Sequence, residues 1–209
     1  MADPKDISFT SMVCSKILHD IAGPIGAIMN GAELLAETGD GDDQEEIIDL
    51  IKSSADQMSS QVKAFRIAFG ALSSGWGEIG VMDFRHALES YSGFRGFSVR
   101  WTTEGETIHK DLAKLILNTA FILGDVVRKK GELHIIRTGD VHDYSFAIEA
   151  FGEGIVLPDE QKGILEGTEA PPHSTSNMSA YIVRTIAESL GVTISIDVSA
   201  NAIVVNGLP

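Results

Sequence analysis

The sequence contains one cysteine, Cys14, so no disulfide can form within the chain and an oxidising compartment is not indicated. Cationic side chains are scarce too. Only 16 Lys and Arg stand against 30 Asp and Glu, a formal net charge of -14. That balance argues against direct binding of nucleic acid, because phosphate backbones are held by net positive surfaces. An acidic surface suits basic patches on other proteins, although high net charge most often serves solubility alone. No run of about 18 consecutive apolar residues occurs. The start, Met1 to Ser8, has no cationic segment leading into an apolar stretch. The expected location is the cytoplasm, without a membrane anchor. His86, His109, His134, His142 and His173 form no His-x-x-x-His pair, and Cys-x-x-Cys is impossible, so metal-ligand spacing is absent. Each of these histidines is read as a surface or turn residue. Ser174, Thr175 and Ser176 lack the Gly-x-Ser-x-Gly frame of a nucleophile elbow and are read as loop.

What is present is 209 residues with 44% hydrophobic content, enough for one large or two small packed domains. Helical periodicity runs from about Ile7 to Glu37, and Thr38 to Asp42 has the glycine and aspartate content of a stop followed by a new start. A second helix is predicted from about Asp43 to Leu72, with Ile47, Leu50, Ile51, Met58, Val62, Phe65, Phe69 and Leu72 at spacings of three and four. The pair makes an antiparallel hairpin. One hairpin leaves such stripes wet, and pairing with a second copy into a four-helix bundle would bury them.

Ser73 to Gly77 marks a boundary, giving a helical hairpin over 1–74 and an α/β unit over 75–209. In the second unit the pattern predicts a helix over Asp83 to Tyr91, a strand over Phe97 to Thr103 and a long helix over Lys110 to Lys129. Strands follow over Leu133 to Thr138 and Tyr144 to Phe151, then an irregular stretch with Pro158, Pro171 and Pro172. A helix over Met178 to Leu190 and a hairpin of Val192 to Val198 with Ala202 to Asn206 complete the unit.

The most informative segment lies in the first helix. At about 100° per residue, Cys14, Ile17, Leu18, Ile21, Ile25, Ile28, Met29, Ala32 and Leu35 form one apolar stripe. Cys14 on that stripe is read as a small core residue rather than a reactive thiol. His19 projects nearly opposite, sharing its face with Ser15, Lys16, Gly23, Gly26 and Asn30. An isolated exposed histidine is usually solvated surface. This one comes with Asp20 beside it, two glycines on its face, and Pro24 one turn on. Each interior glycine costs about 1 kcal/mol against alanine and an interior proline about 3 kcal/mol. A sequence that needed only a helix would not choose them. Lys16, one turn before His19, reads either as a solvated lysine or as an attractor of a phosphoryl group.

The arrangement resembles the H-box of sensor histidine kinases, in which an acidic residue follows the histidine and a proline stands five positions after it. His19, Asp20 and Pro24 occupy those places. The longer string HDIAGPIGAIMNGAELL, residues 19–35, is similar to ChpT-type histidine phosphotransferases, which join such a hairpin to an ATPase-like domain without nucleotide. The second half resembles the histidine-kinase ATP-binding sandwich with its boxes eroded. Asn118 in Leu115-Ile116-Leu117-Asn118-Thr119-Ala120 matches the asparagine of the N-box. Gly152 and Gly154 keep the glycines of the Asp-x-Gly-x-Gly box, but Ala150 stands where its adenine-reading aspartate should be. The lid region reads His173 to Ala180 with no glycine. Without those groups ATP binding is not expected.

The fold class expected from the resemblance is α+β: a dimeric four-helix bundle followed by a degenerate ATPase-like sandwich. It implies a homodimeric phosphotransferase of a two-component phosphorelay in cell-cycle control. His19 is then the nucleophile and Asp20 its orienter, with Ser15, Lys16, Gly23, Gly26 and Asn30 facing the partner. The implied partners are receiver domains of the CckA, CtrA and CpdR type, with Mg2+ carried by the receiver and no cofactor or metal on this chain. Two other readings stay open: an ATP-dependent histidine kinase, and a noncatalytic dimeric interaction module.

Overall fold

The computed structural model describes residues 4–37, 43–70, 77–127, 130–137, 143–169 and 177–209. The expected turn at Thr38 to Asp42, the boundary residues 73–76, Leu72, His142, Pro171, Pro172 and the segment His173 to Ser176 lie outside them. The chain forms two compact units, residues 1–65 and 66–209.

The first unit is the expected hairpin. Helix α1 spans Pro4–Glu37 and α2 spans Asp43–Ala68. Asp43, Glu45 and Glu46 open α2 and Arg66 closes it, each sign at the end where the helix dipole favours it. The helices meet closely at Gly31, where a Cβ would lie 2.7 Å from Cγ1 of Ile51. Any side chain there would force the pair apart.

The apolar stripe of α1 does not lie wholly inside the hairpin. Ile17, Ile21, Ile28 and Leu35 are half-buried, but Cys14 and Ala32 are exposed, and Leu18, Ile25 and Met29 are 67%, 40% and 58% exposed. Cys14 as a core residue is thus corrected. A single partner helix covers only the seam through Pro24 and Gly31, both buried, and the adjacent edge of a wide stripe stays uncovered. On α2, Leu50 and Val62 are exposed in the same way.

The second unit is a mixed five-stranded sheet backed by helices. β1 (Glu78–Gly80) pairs antiparallel with β3 (Thr107–His109) in a small separate ribbon. The main sheet runs β2 (Ser98–Thr103), β4 (Glu132–Arg137), β5 (Phe146–Phe151), β7 (Ala202–Leu208), β6 (Thr193–Val198). β2 and β4 are parallel, and the other pairs antiparallel. The helices are α3 (Val81–Arg95), α4 (Lys110–Val127), α5 (Asp159–Glu166) and α6 (Met178–Leu190). Strict alternation puts Leu133, Ile135, Ile148, Ala150, Ile203 and Val205 fully inside against the helices. Glu132, His134, Ile136, Ala147 and Glu149 fall on the other face and are half-buried.

Three elements were not anticipated. β1 and β3 are three residues each, too short for a period to register. α5 lies in the stretch read as irregular. Its Pro158, at φ -56°, stands at the N-cap, and Asp159 and Glu160 fill the first turn, so the proline begins a helix.

Candidate functional site

His19 lies in the middle of α1 with its side chain 88% exposed. Asp20 is largely covered, at 17%. One of its oxygens, Oδ1, lies 3.3 Å from Nδ1 of His19, and Oδ2 lies 3.2 Å from Nζ of Lys16. A carboxylate only accepts, so the imidazole hydrogen sits on Nδ1 and the lone pair of the neutral ring is on Nε2. The exposed nitrogen is the one able to attack.

Sequence reasoning put Lys16 on the approaching face. The structure turns its ammonium to Asp20 instead, with only 23% of the side chain exposed. The i,i+4 spacing of Lys16 and Asp20 was the available signal. Ser15 and Gly23, each one turn from His19, are exposed and Gly26 is half-buried; Asn30 is exposed too, but it stands about 16 Å farther along the helix and is not brought to His19. A Cβ on Gly23 or Gly26 would meet nothing within 4 Å, so neither glycine is required by packing inside this chain.

The eroded nucleotide boxes have structural occupations. Asn118 is 2% exposed, and its Nδ2 donates to the carbonyls of Ala68 at 3.2 Å and Lys114 at 2.9 Å. Helix α4 is buried from Leu112 through Gly124. Ala150 is fully buried in β5 between Leu133 and Ile203. Gly154 has φ +61°, a turn conformation that glycine adopts without strain, and a Cβ on Gly152 would lie 2.8 Å from Cγ2 of Ile155. Both glycines answer to the chain's own turn after β5.

Of the other described histidines, His86 is exposed on α3 as expected, whereas His109 and His134, read as surface or turn residues, lie in strands with side chains only 14% and 16% exposed and are committed locally. His134 donates from Nδ1 to Glu149 Oε2 at 3.0 Å and takes the Thr102 hydroxyl at Nε2, 2.9 Å away, tying three strands together. His109 accepts the Asp111 amide at Nδ1, 3.3 Å, at the start of α4 and lies edge-on to Tyr144. Among the described residues no group of His, Cys, Asp and Glu is arranged to hold a metal ion, and no helix is long and apolar enough to cross a membrane. Hydrogen bonds from Ser145, with a smaller pull from the Arg137 charge, hold the Asp143 carboxyl below its ordinary range.

An exposed histidine beside a carboxylate on a helical hairpin, followed by a mixed α/β unit, is the arrangement expected of a phosphotransfer protein. Comparison with known proteins agrees. Residues 12–67 match the His Kinase A (phospho-acceptor) domain, and residues 81–202 match the histidine phosphotransferase C-terminal domain. The protein phosphotransferase ChpT of Brucella abortus (strain 2308) is 34% identical over 198 residues, 93% of this chain and 92% of that one. A solved structure of a bacterial phosphotransferase superposes with a TM-score of 0.84 at 31% identity, covering 99% of this chain and 98% of that one. This chain belongs to the histidine phosphotransferase family.

Proposed function

We propose that this histidine phosphotransferase carries a phosphoryl group between receiver-domain aspartates by way of His19. The observation that carries the reading is the orientation of His19: Nδ1 is engaged by Asp20 and Nε2 is presented to solvent. In the reaction the Nε2 lone pair attacks phosphorus of an aspartyl phosphate, the N–P bond forms, the P–O bond breaks, and the receiver carboxylate leaves. The ring then bears positive charge, and Asp20 stabilises its Nδ1–H. Little covalent chemistry is left to the protein, so positioning and charge dominate. The reverse sequence delivers the group to a second receiver.

The working unit in this reading is a homodimer, and the uncovered Leu18, Ile25 and Met29 support it. Receivers of the CckA, CtrA and CpdR type are the expected partners, the Mg2+ belonging to the receiver's acidic pocket. ATP is not a substrate, since Ala150 offers no carboxylate to adenine and Asn118 is spent on main-chain carbonyls. The test is transfer from a phosphorylated receiver, read by intact mass. Acceptance by the wild type and none by His19→Ala is expected, with stability within about 0.5 kcal/mol because the side chain is exposed. Acceptance by His19→Ala, or labelling directly from ATP, overturns the reading.

A further inference from the structure

Consecutive helical residues diverge by about 100°, so Asp20 does not face His19 by default. Helical side chains lean toward the N-terminus, which brings Asp20 over the turn that carries Lys16. There its Oδ2 meets Nζ at 3.2 Å, and the same carboxylate has its second oxygen 3.3 Å from Nδ1 of His19. The pair is an odd choice for stability. A cation four residues before an acid is the weaker orientation for a helix, yet both members are mostly covered, at 23% and 17% exposure.

We propose that Lys16 is a positioning residue for His19: by holding one oxygen of Asp20 it aims the other at Nδ1, and so keeps Nε2 as the attacking nitrogen. This rests on the phosphotransfer reading above. Losing the ammonium frees the carboxylate to turn toward water, and neutral His19 then divides between its two tautomers. The fraction of rings with a lone pair outward falls. The ammonium is itself engaged, so its effect reaches the reaction through Asp20 rather than by direct contact with the transferred group.

The experiment uses the full-length protein with 15N-labelled histidine. Long-range 1H–15N spectra report which ring nitrogen carries the hydrogen, with the His19 signals assigned by comparison with His19→Gln. The wild type should be mainly Nδ1–H, Lys16→Met should shift toward a mixture, and Lys16→Arg should restore the wild-type pattern. Transfer from a phosphorylated receiver should lose about tenfold in kcat for Lys16→Met with KM changed less, and Lys16→Arg should recover it. An unchanged tautomer in Lys16→Met overturns the proposal. So does a loss confined to KM, which would make Lys16 a docking cation. Lys16→Gln, with circular dichroism on each variant, guards against a folding defect. The spectra are independent of transfer, so a failed phosphotransfer reading and a failed Lys16 proposal are distinguishable.

Discussion

Replacing Gly23 and Gly26 together by alanine should make the protein more stable and a worse phosphate carrier. Both glycines lie inside α1, neither has positive φ, and an added Cβ at either meets nothing within 4 Å. The change is then almost purely one of helix propensity, about 1 kcal/mol per site and about 2 kcal/mol for the pair. For a chain of this size that raises the melting midpoint by roughly 4 to 8 °C. The two methyl groups stand on the face of His19, where the proposed relay would bring a receiver's phosphorylated aspartate within bonding distance. A displacement near 1 Å can cost on the order of 100-fold in rate. Urea denaturation of the double variant gives the first number, and single-turnover transfer from a phosphorylated receiver gives the second. No gain in stability would refute the claim that these positions are open. A gain with unaltered transfer would refute the claim that the glycines serve close approach.

If Leu18, Ile25 and Met29 line the contact between two copies, Leu18→Glu with Met29→Glu should convert a dimer to a monomer in light scattering; a monomeric wild type at micromolar concentration removes the four-helix argument. Asn118→Ala strands the buried carbonyl of Ala68 and should cost about 1 to 3 kcal/mol in chemical denaturation; a neutral result would mean that water replaces the amide. Asp143 is held below its ordinary value of 3.8 by Ser145, so its contribution to stability is present above that pH and fades as pH falls through the lowered value. Asp143→Ala should therefore be less stable than wild type near neutrality, with the difference closing in strong acid on melting curves; a difference that grows on acidification contradicts the sign.

The long helices and the sheet strands were legible because each keeps one period over many residues. The 34 residues of α1 and the alternating β4 are the plainest cases. The division of the α1 stripe was not legible. Periodicity says which residues are apolar together, and only the folded hairpin says that Ile17 and Ile28 are half-buried while Leu18 and Met29 are exposed. Pro158 reads as a breaker because a proline both ends and begins helices, and the acidic pair after it is the deciding cue for a start. At the site, His19, Asp20 and the open glycines could be read from type and spacing. The destination of the Lys16 ammonium could not, because a long flexible side chain at that spacing reaches either the partner's face or its neighbour's carboxylate. Asn118 resembled a metal-linked asparagine by sequence, and its carbonyl partner 50 residues away was invisible to any local pattern.

Pro24 interrupts the hydrogen-bonded ladder of α1 without ending the helix. Lacking an N–H, it supplies no bond to the carbonyl of Asp20, so the hydrogen-bonded ladder is cut one turn beyond His19 although the helix runs on to Glu37. Opening that begins near the N-terminus need not travel past the cut, while the length beyond it is pinned where Gly31 meets Ile51. Amide exchange along α1 should therefore change in a step at Pro24 rather than in a gradient. On the proposed relay, such a step would let the turn that presents the imidazole adjust to a receiver while the register of the hairpin is kept.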